Sequence, residues 1–191
     1  MIDTFKIAFI GSHGVGKTTL CYGLAARLKA ADFALEVVGE VARRCPLPIN
    51  RDTTLSAQTW ILHTQIAEEI LAANRGRVVI CDRSVLDNFV YLLLSAGPHA
   101  VPELTQLVDA WIRSYQLLVR IPILEEPNPD GLRSTDPAFQ REVDTRLQTE
   151  IAERALDVLD LTGVGRTGWV DCVERAALER LNPAQLRLPD R

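Results

Sequence analysis

The sequence predicts a three-layer α/β domain, with helices covering both faces of a parallel sheet. Three observations carry this expectation. Short β-branched runs alternate with longer segments whose apolar residues recur at helical spacing, the pattern of strand–helix–strand units. A glycine-rich turn, Gly11 to Thr18, joins the first strand to the first helix. The 191 residues, 47% hydrophobic and 24% charged, make one domain's worth of chain with an ordinary apolar fraction, which excludes a disordered protein.

Taken in order, Phe5 to Ile10 reads as a strand ending at Gly11, and Leu20, Leu24 and Leu28 mark one face of the helix after the turn. Leu35 to Val38 is the second strand, closed by Gly39. Leu55, Leu62, Ile66 and Ile70 mark a long helix with Asp52 or Thr53 as its N-cap and Asn74 to Gly76 as its stop. Arg77 to Cys81 is a buried-type strand running into Asp82-Arg83-Ser84. Ser84 and Asp87 have capping-box spacing, so a helix begins there and runs to about Gly97. Pro98 and Pro102 bracket a turn, and Leu104, Leu107, Val108, Trp111 and Ile112 form the next amphipathic helix. Leu117 to Ile121 is a strand. Residues 125–137 are polar and rich in Pro, Gly and Asp, a loop of the length that usually carries function. Val143, Leu147 and Ile151 belong to a further helix, Trp169-Val170 reads as a short last strand, and Asp171 as the cap of a terminal helix stopped by Pro183. One domain over 1–183, a lid at about 125–140 and a tail at 184–191 follow from this division.

Composition narrows the function. The net charge is -4, with 21 basic against 25 acidic residues. A protein that coats duplex DNA carries a basic surplus, so that role is disfavoured. The longest apolar stretch, Phe89 to Ala96, is far short of the ~18 residues that a membrane span needs. No basic segment precedes Phe5, so the N-terminus does not read as a signal peptide. The four cysteines are scattered, without the spacing of a zinc site or a disulfide framework, which fits reduced thiols in a cytosolic protein.

Gly11-Ser12-His13-Gly14-Val15-Gly16-Lys17-Thr18 fits G-x-x-x-x-G-K-[ST] at every fixed position, with Thr19 following on the helix. Glycines let the backbone curl so that successive N–H groups point at phosphate oxygens, beside the positive end of the helix. Lys17 can reach the β- and γ-phosphates, and the Thr18 hydroxyl can ligate Mg²⁺. The expected ligand of Gly11 to Thr19 is therefore a nucleoside triphosphate, ATP, with Mg²⁺.

The chain has no N-K-x-D to read guanine, and its third strand ends in Asp-Arg rather than Asp-Glu. Asp82 can orient Mg²⁺ waters across from Lys17, and Arg83 can hold acceptor or phosphate oxygens. Beyond the second strand, Glu40 with Arg43 and Arg44 reads either as a base with an anion-binding partner or as a solvated helix start. In the polar segment, Arg133, followed by Arg141 on the next helix, can close over a transferring phosphoryl group.

In that order, Gly11–Thr18, Glu40-Val41-Ala42-Arg43, Asp82-Arg83-Ser84 and Asp130-Gly131-Leu132-Arg133 resemble the small P-loop kinase-like ATPases, the family that includes the nicotinamide riboside kinase domain of NadR. They are similar, more distantly, to deoxynucleoside and thymidylate kinases. The resemblance runs from Phe5 to about Leu181. It implies a P-loop NTPase fold with five parallel strands in the order 2-3-1-4-5, and phosphoryl transfer to a nucleoside, nucleotide or similar small hydroxyl acceptor. It further implies Glu40 as candidate base and Arg83 as substrate arginine. Asp82, where the deoxynucleoside kinases have Glu, leaves open which of Glu40 and Asp82 is the base. Two other readings remain: a regulatory nucleotide-binding module, and a kinase acting on a nucleic-acid end or modified base.

Of the remaining aromatic and histidine residues, His13 is expected to pack the loop. Trp60, His63, Phe89 and Tyr91 are expected to pack the core more readily than to stack on an acceptor, and His99 to be exposed. Leu107 and Trp111 share a stripe open to core packing or to a homodimer surface. Arg133→Ala is expected to lower kcat about tenfold or more with little change in ATP affinity; steady-state kinetics beside a nucleotide-binding titration checks this, and the reverse pattern removes its lid role.

Overall fold

The computed structural model describes residues 4–49, 53–97, 102–124 and 136–181. Its strands are β1 (Phe5–Ile10), β2 (Leu35–Val38), β3 (Val78–Asp82), β4 (Leu117–Arg120) and β5 (Val158–Asp160). Its helices are α1 (Lys17–Ala30), α2 (Leu55–Ala73), α3 (Val85–Ala96), α4 (Pro102–Ile112), α5 (Pro137–Glu153) and α6 (Trp169–Arg180), with 3₁₀ turns at Val41–Arg44 and Arg166–Gly168. The five strands pair in the order β2-β3-β1-β4-β5, all parallel.

Parallel strands buried on both faces need apolar residues at consecutive positions. β1 supplies them: Ile7 and Phe9 face α1 and α6, while Ala8 and Ile10 face the core shared by α2, α3, α4 and α5. The register aligns the strand ends. Phe9 pairs with Asp82, Val38 with Cys81, and Ile10 with Arg120. Consequently Gly11, Glu40, Arg83 and Ile121 all emerge at one edge, the carboxyl end of the sheet, where such folds bind ligands.

Four expectations are corrected, in whole or in part. The last strand is β5, not Trp169-Val170. Trp169 adopts helical angles (φ -60°, ψ -46°) and opens α6, where Trp169, Val173 and Ala177 keep one face buried. The apolar pair at 169–170 was the start of a 3.6-residue period, and the strand lay in the Val158–Asp160 run before the glycines. Asp171 therefore lies in the first turn of α6, with Gly168 as the cap, and pairs with Arg27.

α2 is capped by Thr54, whose hydroxyl accepts from the Ala57 amide at 3.2 Å. Thr53 instead accepts from Gln58 Nε2, and Asp52 lies outside the described residues. Of the apolar stripe expected on α2, Leu62 and Ile66 do pack the core, but its two ends do not. Leu55 and Ile70 are 43% and 47% exposed, whereas Gln58, Gln65 and Glu69 are buried. α2 turns a polar row inward because polar partners await it there: Thr53 for Gln58, and Lys6, Trp111 and Tyr115 for Glu69.

The capping box at α3 is present as expected, with Gly97 beyond its end. The expected lid at 125–140 and turn at 98–101 fall largely outside the described residues, though 137–140 form the first turn of α5 under the cap of Asp136. All four cysteines are free. Among the described residues no helix is long and apolar enough to cross a membrane. Leu24→Ala, in the fully buried α1 face, is expected to cost about 2–5 kcal/mol of stability. Ile70→Ser, despite its apolar residue, should stay within about 0.5 kcal/mol. Urea unfolding of both variants checks the pair.

Candidate active site

The glycine-rich turn wraps the carboxyl end of β1 and needs glycine for specific reasons. Gly16 has φ +97°, and a Cβ there would sit 3.3 Å from Arg166 Nη2. At Gly11 (φ +150°) a Cβ would come within 2.8 Å of the Ile121 carbonyl oxygen. Val15 anchors the loop in the α1-side core, while Gly14 and Thr19 are exposed. Ser12 is fully buried, its hydroxyl oxygen without a partner.

Lys17 is 4% exposed and folds back, its Nζ donating to the carbonyls of Gly11 (2.7 Å) and Ser12 (2.5 Å). Burial, and then the charge of Arg83, lower its pKa to about 7, against the opposing pull of Asp87, Glu40 and Asp82. Beside it, the Thr18 hydroxyl donates to Asp82 Oδ2 at 2.5 Å, and Asp82 Oδ1 is buried without a partner. A hydroxyl and an unsatisfied carboxylate at the loop's mouth are the hard oxygen donors that Mg²⁺ takes together with phosphates and water. Among the described residues, no group of three or more His, Cys, Asp or Glu is placed to hold a metal. The donor set thus fits an ion completed by phosphate oxygens.

Across the edge, Arg83 meets Glu40. Nε and Nη2 of Arg83 both lie 2.9 Å from Glu40 Oε1, with both side chains nearly fully buried. Glu40 Oε2 accepts from Arg43 Nε at 2.8 Å, while Arg44 pairs with Glu68 on α2. The alternative of a solvated helix start therefore does not describe Glu40. Burial works against the Arg83 charge, but Glu40, Tyr91, Asp87 and Asp82 hold its pKa above the ordinary guanidinium value. Arg83 also has φ +104°, left-handed backbone that a non-glycine residue adopts only under constraint.

Glu40, Arg43 and Arg83 wall a cleft completed by His13, Ala42, Ile49, Gln58, Ile61, Asn88 and Tyr91. Asn88 is 3% exposed, with its amide nitrogen unpartnered. Tyr91 packs against the core as expected and also lines the cleft, its ring 5.3 Å from the Arg83 guanidinium. Its hydroxyl lies 3.1 Å from His13 Nδ1, and His13 stacks on Phe139 at 5.7 Å, so His13 packs the loop as expected. Phe89 is in the core. His63 is exposed and bonds to the Thr59 carbonyl, Trp60 lies beside it, and neither lines the cleft. Trp111 turns inward to Glu69.

Lys17, Thr18, Asp82, Arg83 and Glu40 are thus gathered at one place. Arg141 is not among them: it is exposed on α5. Arg133 lies outside the described residues. Sequence reasoning missed three residues. Asp87 accepts from the Gly11 amide through Oδ1 (3.0 Å) while capping α3 through Oδ2. Gln140 donates to the His13 carbonyl at 2.8 Å, and Arg166 lies against Gly16. The Ser84–Asp87 box was a visible signal for Asp87, but the second oxygen's partner lies 76 residues away.

A family model described as an AAA domain matches residues 6–167. Among solved structures, the chain is similar to NadR protein in complex with NR, at 20% identity and TM-score 0.74, over 98% of this chain and 54% of that one. NadR with NAD and AMP-PNP gives 19% and 0.67, over 91% and 49%. Deoxyadenosine kinase from M. mycoides with bound dATP gives 13% and 0.63, over 90% and 98%. The chain spans about half the length of the NadR chains, and these likenesses establish the fold, a three-layer P-loop architecture. No curated protein matches the sequence.

Restoring the Lys17 charge takes up a proton. Between its folded value of about 7 and the ordinary 10.5, the free protein holds Lys17 largely neutral, and a triphosphate draws it back to the charged form. Uptake on binding should therefore be small below pH 6.5 and approach one proton near pH 8.5. Titration calorimetry with tripolyphosphate or ATP, in buffers of different ionisation enthalpy, reads it directly. Lys17→Ala should abolish the uptake.

Proposed function

The chain belongs to the AAA-domain family that matches residues 6–167, and from that membership we propose that it is an ATP- and Mg²⁺-dependent phosphotransferase acting on a nucleoside or similar small hydroxyl compound. The observation that carries this reading is the cleft between Glu40 and Arg83, walled partly by His13 of the phosphate loop, so an acceptor there meets the γ-phosphate end of a bound triphosphate. Membership alone is shared by proteins of many activities. The NadR and deoxyadenosine kinase likenesses give the nucleoside-kinase reading its precedent.

Glu40 is the better base. Asp82 is engaged with Thr18 on the loop side, where it suits the metal, whereas Glu40 sits on the acceptor side. Glu40 would take the proton of the attacking hydroxyl, and Arg83 would steady that oxygen and the incoming phosphoryl group. Lys17 and the amides of Gly11 to Thr19 would hold the triphosphate, leaving its carbonyl partners as phosphate arrives. When bound beside Thr18 and Asp82, Mg²⁺ would neutralise charge on the phosphates. Arg133, with Arg141 behind it, would close over the site from the segment at 125–140. That segment belongs to one domain over 1–183, followed by a tail at 184–191.

Two features favour a nucleoside over a nucleotide. The guanidinium groups of Arg43 and Arg83 are both bound to Glu40, and Asp87 flanks Arg83, so the cleft's charge is largely balanced. Its walls instead pair apolar Ile49 and Ile61 with amides at Gln58 and Asn88, which suit a ring with polar edges. The free thiols fit a cytosolic setting.

Labelled ATP should be offered with nucleosides, mononucleotides and oligonucleotide ends. A nucleoside 5′-phosphate is the expected product, and Glu40→Gln should lower kcat by about 10²–10⁴-fold. Tight ATP binding with no product from any acceptor would favour a regulatory module. Transfer only to an oligonucleotide would favour a nucleic-acid kinase.

A further inference from the structure

One buried charged cluster has no part in the chemistry above. Glu69 on α2 is 0% exposed, between β1 and α4. Its Oε1 accepts from Gln65 Nε2 (3.0 Å) and the Tyr115 hydroxyl (2.6 Å). Its Oε2 accepts from the Trp111 indole (2.8 Å) and from Lys6 Nζ (3.4 Å). Lys6 also donates to Ser114 Oγ at 3.1 Å and lies 4.4 Å from the Trp111 ring centroid. Buried charge is unfavourable unless paired and hydrogen-bonded, and apolar side chains would fill the same volume more simply. Such a network invites a purpose beyond packing.

The two donors on Oε1 lead onward to one turn. Gln65 Nε2 also donates to the Arg83 carbonyl at 3.3 Å, and the Tyr115 hydroxyl accepts from the Val85 amide at 3.1 Å. The amide between them, Ser84 N–H, is held by Asp87 Oδ2. Burial and the Glu69 charge push the Tyr115 phenol well up, which keeps it the donor to Glu69. The pinned turn is the one in which Arg83 takes its left-handed backbone.

We propose that Glu69 is a positioning residue: through Gln65 and Tyr115 it clamps the backbone on both sides of Ser84, holds Arg83 in its left-handed conformation and aims the guanidinium at Glu40 and the acceptor. The consequence for turnover rests on the kinase reading of Arg83; the backbone clamp does not.

Tyr115→Phe keeps the ring and removes the hydroxyl, and Gln65→Leu removes the amide. Each is made in the full chain and again in an Arg83→Ala background, with circular dichroism and ATP affinity measured alongside kcat and acceptor KM. Each should lower kcat about tenfold when Arg83 is present. The loss should shrink to less than about twofold when Arg83 is absent, because the effect passes through that side chain. ATP affinity should not change. Equal losses in both backgrounds would mark a general structural role and overturn the proposal. A crystal structure of Tyr115→Phe, or of Gln65→Leu if the first does not fold, reads the clamp without turnover. Arg83 leaving positive φ and separating from Glu40 supports it; an unchanged turn and ion pair overturns it. Failure of the native protein to phosphorylate any acceptor would remove the kinase reading, and the crystallographic result would still decide the clamp.

Discussion

The amide of Gly11 donates to one oxygen of Asp87, and the other oxygen takes the amide and hydroxyl of Ser84. One carboxylate thereby ties the entry of the phosphate loop to the turn that follows Asp82 and Arg83. These segments come from different parts of the chain, brought side by side only by the β1–β3 register. Without that tie, the loop's first residue and the cleft's arginine would be set independently. With it, the spacing between the two halves of the site is fixed by a single planar group.

Around this tie the charges are arranged to cancel in close pairs. Arg83 is matched by Glu40 and flanked by Asp87, with Nη1 to Oδ1 at 3.9 Å. Asp82 faces Thr18 rather than a cation, and Lys17 finds carbonyls rather than a carboxylate. Lys17 and Asp82 are thus two groups of the site whose natural partners are incomplete among the described residues. A bound triphosphate and its metal would supply what each lacks. Pre-arranged but unsatisfied groups of this kind favour a ligand at the cost of stability in its absence.

Much of this was legible in the sequence, for local reasons. The phosphate loop has fixed spacing, the α3 cap is a contact over three residues, and the strands of a parallel sheet are continuous apolar runs. What escaped depends on non-local partners. Gln140 is an ordinary helix residue until α5 lies against the phosphate loop, and the exposure of Ile70 follows only once Glu69 is seen to claim the inner face of α2. Trp169-Val170 misled because two apolar residues cannot tell a period of two from one of 3.6. Glu40 was ambiguous on paper because charge patterning cannot reveal that a guanidinium 43 positions away will bury it.

The chain has only three lysines among its 21 basic residues. Two of them, Lys6 and Lys17, are buried in dedicated interactions, so Lys29 is the one lysine side chain at the described surface. The outward-facing positive charge is therefore almost wholly guanidinium, which does not lose its proton below about pH 12. Alkaline conditions that neutralise lysine side chains would leave these guanidinium groups charged. Colloidal behaviour in that range therefore rests on guanidinium groups whose charge is fixed.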